Sequence, residues 1–437
     1  MQTVSNTLCA WRWIAPILLG LSLSTAAFAD TTTADGWMEG FPPPADRIIR
    51  NSDRDFFSAP KLAWSVCHLR ELLPTKSLPR GLAAPVLLDY QLDSNINALE
   101  FRRSDTGVTM TWADAYTANH TDGLVVLHKG KVVYEQYAGC LDEFGKHAAM
   151  SMTKSLTGLI TETLIAEGVL NENAIVGELI PELKGSAFGN ATLRQLLNMT
   201  TGLDYSEDYS DPNADVWVYS QAVSPLPKPP GFEGPRSYFE YLQTVKPESK
   251  HGTAFAYKTI NVDAIGWVIA RATGKSVLEL LSERIWQKMG AEQEGYFTID
   301  SIGTPFAGGG LSSGLRDLAR VGQLMLNEGS LNGEQLVPAA AIRSIAAGAN
   351  PEHFAKAGYT SMPNGSYKSL WWVFHNDNGA YAARGVHGQT LYIDPTADMV
   401  IARFASHPQA ANSGNDATSL PAYQALADYL MKQAGTP

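Results

Sequence analysis

The 437-residue chain is poor in cysteine, in charge and in metal-ligating pattern. It has three cysteines, and charged residues make up 18%. None of its nine histidines stands four residues from another, so the helical His-x-x-x-His motif is absent. No Cys/His spacing suggests a metal site, and no cofactor is implied. Basic residues are outnumbered, 33 Lys and Arg against 44 Asp and Glu, for a formal net charge of -11. That balance argues against nucleic acid or an anionic membrane surface as a partner. The acidic residues are dispersed, so no acidic tail is indicated. Repeats and low-complexity tracts are missing. Apolar residues make up 45%, a globular composition, and the length allows a large core.

One long apolar run is present, at the start. "WIAPILLGLSLSTAAFA" follows Arg12, the only charge in the first 29 residues, and Ala27-Phe28-Ala29 is a small-x-small cleavage pattern before Asp30. The run is short and lacks a basic stop-transfer flank, which argues against a membrane anchor. Cys9 lies before the run, which argues against a lipoprotein site. The expectation is a signal peptide at 1–29, cut after Ala29, and a periplasmic or secreted protein free of the membrane. Losing Arg12 takes the net charge from -11 to -12. Cys67 and Cys140 remain and could pair in an oxidising compartment, but their spacing alone does not bring them together.

Residues 30–105 are rich in proline and loop residues ("GFPPPADR", "LLPTKSLPRG") and read as an extension packed on the main body, residues 106–437. "GLVVLHKGKVVYEQYAG" is two β-rich runs around a Lys129-Gly130-Lys131 turn, a hairpin. Leu156, Leu159, Ile160 and Leu164 follow on helical spacing. "ATLRQLLNMTTGL" predicts a helix stopping at Gly202, and "NVDAIGWVIARATGKS" a helix with Asn261 at its N-cap and Gly274 past its end. Asp204 to Lys250, rich in Pro, Tyr and Asp, is long enough to be a lid or binding loop. "GQTLYIDP" and "MVIARFAS" predict strands and "PAYQALADYLMKQ" a closing helix. Strands early and late with helices between predict an α/β (α+β) fold. Its antiparallel sheet is built from both chain ends and flanked by helices, with an inserted all-helical lobe at about 160–305.

"MSMTKSLTGLI" is the stretch that points to chemistry. Ser151 opens an apolar helix and Lys154 follows one turn later, on the same face. The helix start favours developing negative charge. A serine there needs a base to become a nucleophile, and a partly buried lysine with a depressed pKa can serve. The bland alternative is a serine N-cap followed by a solvated lysine. Ser-x-x-Lys is also short, and the chain carries a second copy at Ser58 and Lys61, where Pro60 disfavours a helix.

Further on, "FAYKTIN" places Tyr257 just before a helix, and "GVHGQTLYIDP" places a glycine-flanked His387 at a strand entry. This ordered set, with "LRQLLNMTTGL" and "GGGLSSGLRDLARVG", resembles the serine β-lactamase and penicillin-binding protein superfamily on its class C side, from about Gly123 onward. The resemblance implies a catalytic Ser151, Lys154 and Tyr257, and a site-lining strand near Gly385 to Gln389. The family's Tyr-x-Asn reads Tyr257-Lys258-Thr259 here, and its Lys-Thr-Gly is replaced by a His-Gly-Gln sequence. Without that lysine, which binds the carboxylate of β-lactams and stem peptides, β-lactam hydrolysis should be weak. His-Gly-Gln before "LYIDP" is most similar to the 6-aminohexanoate-dimer hydrolases, with family VIII carboxylesterases similar in fold and nucleophile. The resemblance also implies that His387 contacts substrate, that a backbone N–H near Gln389 completes an oxyanion hole with that of Ser151, and that Tyr209, with Tyr205 behind it, closes over the substrate. Trp371-Trp372 reads as core packing.

The expected function is that of an exported serine hydrolase, cleaving a small-molecule ester or linear amide through a Ser151 acyl-enzyme without a cofactor. A β-lactamase or D,D-peptidase, and a non-catalytic binding protein on this fold, remain as alternatives.

Overall fold

The β-rich hairpin and the strands near the C-terminus meet in one sheet. The computed structural model describes residues 36–434 apart from 54 and 229, so the expected signal segment lies outside the described residues. In chain order the elements that build the site are β1 (Asp89–Tyr90), β2 (Thr121–His128), β3 (Lys131–Tyr137), α1 (Met152–Ala166), α2 (Asp215–Val223), α3 (Ile260–Thr273), α4 (Leu315–Leu326), β4 (Ser366–Lys368), β5 (Trp371–Val373), β6 (Tyr381–Gly385), β7 (Gln389–Asp394), β8 (Met399–Ala405) and α5 (Ser413–Ala434). The sheet order is β4-β5-β6-β7-β8-β2-β3-β1. Every pair is antiparallel except β1 with β3, which runs parallel. The β2–β3 turn works because Lys129 (φ 51) and Gly130 (φ 76) both take the left-handed conformation a two-residue hairpin needs.

Alternation along the strands sorts side chains into two cores. Val125, Leu127, Val400, Ala402 and Phe404 pack with α1, α3 and α4 on one face. Leu124, Val126, Met399 and Ile401 pack with Tyr423, Leu426 and Leu430 of α5 on the other. The early and late strands therefore form one sheet, as the strand–helix order predicts. Two details differ from expectation. The inserted region is not all helical: Gly295–Thr298 pairs with Thr75–Leu78 and with Leu311–Ser313, which pairs with His147–Ala148, in a second four-stranded sheet. Short strands carried by neighbouring segments leave little periodic signal. The helix of "ATLRQLLNMTTGL" spans only Leu193–Leu197 before Met199 turns left-handed at φ 49, well short of Gly202. Cys67 and Cys140 are joined in a disulfide with a Cα–Cα distance of 6.0 Å. Among the described residues no helix is long and apolar enough to cross a membrane.

α1 is buried from Met152 through Leu164. Its glycine is obligatory: a Cβ on Gly158 would stand 2.0 Å from the Ser369 carbonyl oxygen. Gly158→Ala must therefore push α1 off the segment leading into β5. The expected result is a loss of about 1–3 kcal/mol in urea unfolding, the usual range for overpacking a close contact. Activity should fall with it, because α1 carries Ser151.

Candidate active site

Ser151 stands at the entry to α1, straight after Met150, which takes φ 48. Its own backbone is already helical (φ -68, ψ -5), and its hydroxyl makes no capping bond. The first turn closes through i→i+3 bonds, with Met152 N on Ala149 O, Thr153 N on Met150 O and Lys154 N on Ser151 O, each at 3.1 Å. The N-cap explanation of Ser151 therefore fails on geometry. The hydroxyl instead accepts from Lys154 Nζ at 2.9 Å. Lys154 is 1% exposed, and its amine also donates to Gly308 O at 2.6 Å. The other copy of the motif is a surface feature: Ser58 is exposed, and Lys61 is paired with Asp53 and Asp55.

Tyr257 enters from the segment just before α3. Its ring lies 5.2 Å from Lys154 Nζ and stacks on Trp372 at 5.8 Å, and Ser151 is a polar neighbour that favours its ionised form. Serine and lysine at the start of α1 thus meet a tyrosine from the segment leading into α3. Burial sets their electrostatics. Desolvation lowers Lys154 to about 8, opposed by the carboxylates of Glu207 and Asp263. Desolvation and then Glu207 push Tyr257 well above the usual phenol value, against Ser151 and the Arg384 charge, which lower it.

Strand β6 closes the other side. A Cβ on Gly385 would stand 3.0 Å from Ser151 N and 2.9 Å from Ala149 O, so only glycine lets this strand end approach the serine. The Ser151 N–H makes no backbone hydrogen bond.

The other predicted positions fall differently. Gln389 is fully buried, and its side chain ties the strand ends together, Nε2 donating to Val386 O and Ala405 O while Oε1 accepts from Ala405 N. Its side chain is thus committed to holding the strand ends together. His387 lies in the turn after β6 at φ 64, and its Nδ1 is hydrogen-bonded to His407 O at 2.8 Å. The residue of the strand end shown against Ser151 is Gly385, two positions before His387. A two-residue offset of this kind is invisible where glycines flank both sides. Arg384 is buried and paired with Asp416. Tyr209 is half-buried; its hydroxyl donates to Glu207 Oε1 at 2.6 Å, and its ring meets Trp217 edge-on at 5.9 Å. Tyr205 is buried in the core, behind it. Trp371 and Trp372 are buried, and the Trp372 ring supports Tyr257. Asn261 lies inside α3, bonded to Thr201, and Thr259 holds the N-cap position.

Two acids escaped the sequence analysis. Glu207 accepts from Thr259 N at 2.5 Å and Thr259 Oγ1 at 2.6 Å, pinning the 204–212 loop to the start of α3. Asp263 is buried inside α3. Each is one acid among many in polar or amphipathic sequence, with no spacing to mark it. Cys67, Cys140 and His147 bring their ligand atoms within 4.8 Å of one another, but the sulfurs are joined and His147 is bonded to Asp122, so this cluster offers no thiolate to a metal.

Residues 112–425 match the family model for Beta-lactamase. The chain is 34% identical over 355 residues to the 6-aminohexanoate-dimer hydrolase of Paenarthrobacter ureafaciens, covering 80% of this chain and 86% of that protein. A solved structure from Bacillus anthracis, provisionally named a 6-aminohexanoate-dimer hydrolase, superposes with a TM-score of 0.80 at 31% identity, covering 90% of this chain and 99% of the other. EstCE1, a hydrolase with promiscuous acyltransferase activity, shares the fold at a TM-score of 0.54 and 14% identity, over 73% of this chain and 96% of the other. The chain belongs to the beta-lactamase family, and is a serine hydrolase of that fold related to the 6-aminohexanoate-dimer hydrolases.

Proposed function

We propose that the protein hydrolyses a linear amide or ester of a small molecule through an acyl-enzyme on Ser151. The observation that carries this is the buried Lys154 amine 2.9 Å from the Ser151 hydroxyl, with the Tyr257 ring 5.2 Å from the same amine. Ser151 Oγ attacks the carbonyl carbon, and its proton passes to the Lys154–Tyr257 pair. The oxyanion is received by the Ser151 N–H and by an N–H of the strand end at Gly385, the donor set that the close approach of this glycine supports. Collapse breaks the C–N or C–O bond, and the pair returns the proton to the departing amine or alcohol. Water, deprotonated by the same pair, then frees the acid and regenerates Ser151. Tyr209 and the loop pinned by Glu207 border the substrate. The similarity to 6-aminohexanoate-dimer hydrolase favours linear amides over β-lactams.

A panel of linear amides, short-chain esters and β-lactams, assayed with fluorophosphonate labelling, tests this. Turnover of amides or esters with label on Ser151 is the expected result. A chromogenic cephalosporin hydrolysed faster than every linear substrate would replace the proposal with β-lactamase activity. Absence of both label and turnover would leave a binding protein. The site is further proposed to work outside the cytoplasm, supported by the sequence of residues 1–29 and by the Cys67–Cys140 disulfide. Mass analysis of protein from the periplasm or medium should then find Asp30 at the N-terminus.

A further inference from the structure

Asp263 takes no part in the chemistry described above, yet it lies directly behind it. Its carboxylate is buried on α3, with Oδ2 accepting from Tyr219 of α2 at 2.5 Å. Oδ2 would stand 3.3 Å from a Cβ on Gly308, the residue whose carbonyl holds Lys154 Nζ at 2.6 Å. The backbone N–H groups of Ala307 and Gly308 face the carboxylate, and Oδ1 makes no hydrogen bond within the protein. A buried carboxylate with one oxygen unbonded is expensive to keep. A structural role at this position would be served as well by asparagine, which accepts from Tyr219 without a charge. The cation that faces it is Lys154.

We propose that Asp263 is a positioning residue for the reaction: its carboxylate, held by Tyr219 under the Ala307–Gly308 peptides, sets the charge state of the Lys154–Tyr257 pair at Ser151. This deepens the Ser151 acyl-enzyme reading and rests on it. Ionisable groups facing Asp263 are Lys154 of α1, Tyr219 of α2, Tyr238 of the Tyr238–Leu242 helix and Tyr205 of the 204–212 loop. Lys154 faces Glu207 and Asp263. Burial raises Asp263 to about 7, and the Tyr219 bond and the Lys154 charge bring it down. Both members of this acid–amine couple therefore change charge within the neutral range.

The sign follows without choosing which of Lys154 and Tyr257 is the base. The reactive state is the pair after it has lost one proton, and a neighbouring negative charge opposes that loss. Removing the charge should move the acid limb of reactivity to lower pH. The experiment is the pH dependence of the rate at which a fluorophosphonate labels Ser151, in the wild-type protein, Asp263→Asn, Tyr219→Phe and the double variant. In Asp263→Asn the midpoint of the limb should fall by about one pH unit. Tyr219→Phe, which leaves the carboxylate less stabilised, should move it the same way by less, and the double variant should go no further than Asp263→Asn. A merely structural Asp263 would lower the plateau rate or the melting temperature and leave the midpoint in place, and that result overturns the proposal. If Asp263→Asn does not fold, Tyr219→Phe decides: a fixed midpoint counts against the proposal and a lowered one for it. Label on wild-type Ser151 with an unmoved midpoint defeats this inference alone. A failure to label Ser151 in the wild-type protein defeats the acyl-enzyme reading and this inference with it.

Discussion

Ser151→Ala should lose at least ~10³-fold in kcat on every substrate the protein turns over, with the fold intact. The hydroxyl is the only atom removed. It fills no cap, its backbone is already helical, and its Lys154 partner retains the Gly308 carbonyl. Melting should therefore change little while turnover collapses, a combination that packing damage does not produce. The internal control is Ser58→Ala. That serine has the same Ser-x-x-Lys setting but lies exposed, with Lys61 committed to Asp53 and Asp55, so its variant should keep wild-type rates. Wild-type turnover in Ser151→Ala would remove the acyl-enzyme mechanism altogether.

The contrast between those two motifs shows what the sequence could and could not tell. Ser151 and Lys154 were legible because the residues after them, Leu156, Leu159, Ile160 and Leu164, have helical spacing and are all buried. A lysine that opens such a helix has to be buried with it. The sheet was legible for the same kind of reason. Strands β2, β7 and β8 are buried on both faces, and they read as apolar runs at the two ends of the chain. Local pattern carried less in turns. The turn after β6 holds a left-handed His387 and Gly388, so the segment Gly385 to Gln389 could be recognised as lining the site while which of its residues meets Ser151 could not. It proved to be Gly385, identified by what a Cβ would strike. Glu207 and Asp263 were illegible for a third reason. Their significance lies in partners far along the chain, Thr259 for one and Tyr219 with the 307–308 turn for the other. No period or spacing encodes contacts of that length.

The strongest coupling in the molecule should appear between Lys154 and Tyr257. Lys154 donates to the Ser151 hydroxyl, its amine lies 5.2 Å from the Tyr257 ring, and Glu207 acts on both. If they move one proton as a unit, removing either member abolishes the transfer, and removing the second costs little more. Tyr257→Phe is the cleaner single change, because the ring keeps its stack on Trp372 and loses only the hydroxyl. Lys154→Met is the better partner than an alanine, because the stem is fully buried and alanine would add a cavity to the loss of the amine. Without the ammonium, Asp263 loses the charge that lowers its pKa and takes up a proton near neutrality, so the variant need not keep an uncompensated anion. Each single variant should fall by ~10²-fold or more in kcat, the lower end of what general acid–base catalysis contributes. The double variant should lie within about threefold of the worse single, where independent residues would give the product of the two losses. Measured kcat values for the four proteins at one pH above 8 decide between these outcomes. Additive losses would separate the two roles, leaving Tyr257 as the proton carrier and Lys154 as a buried support for the Gly308 turn.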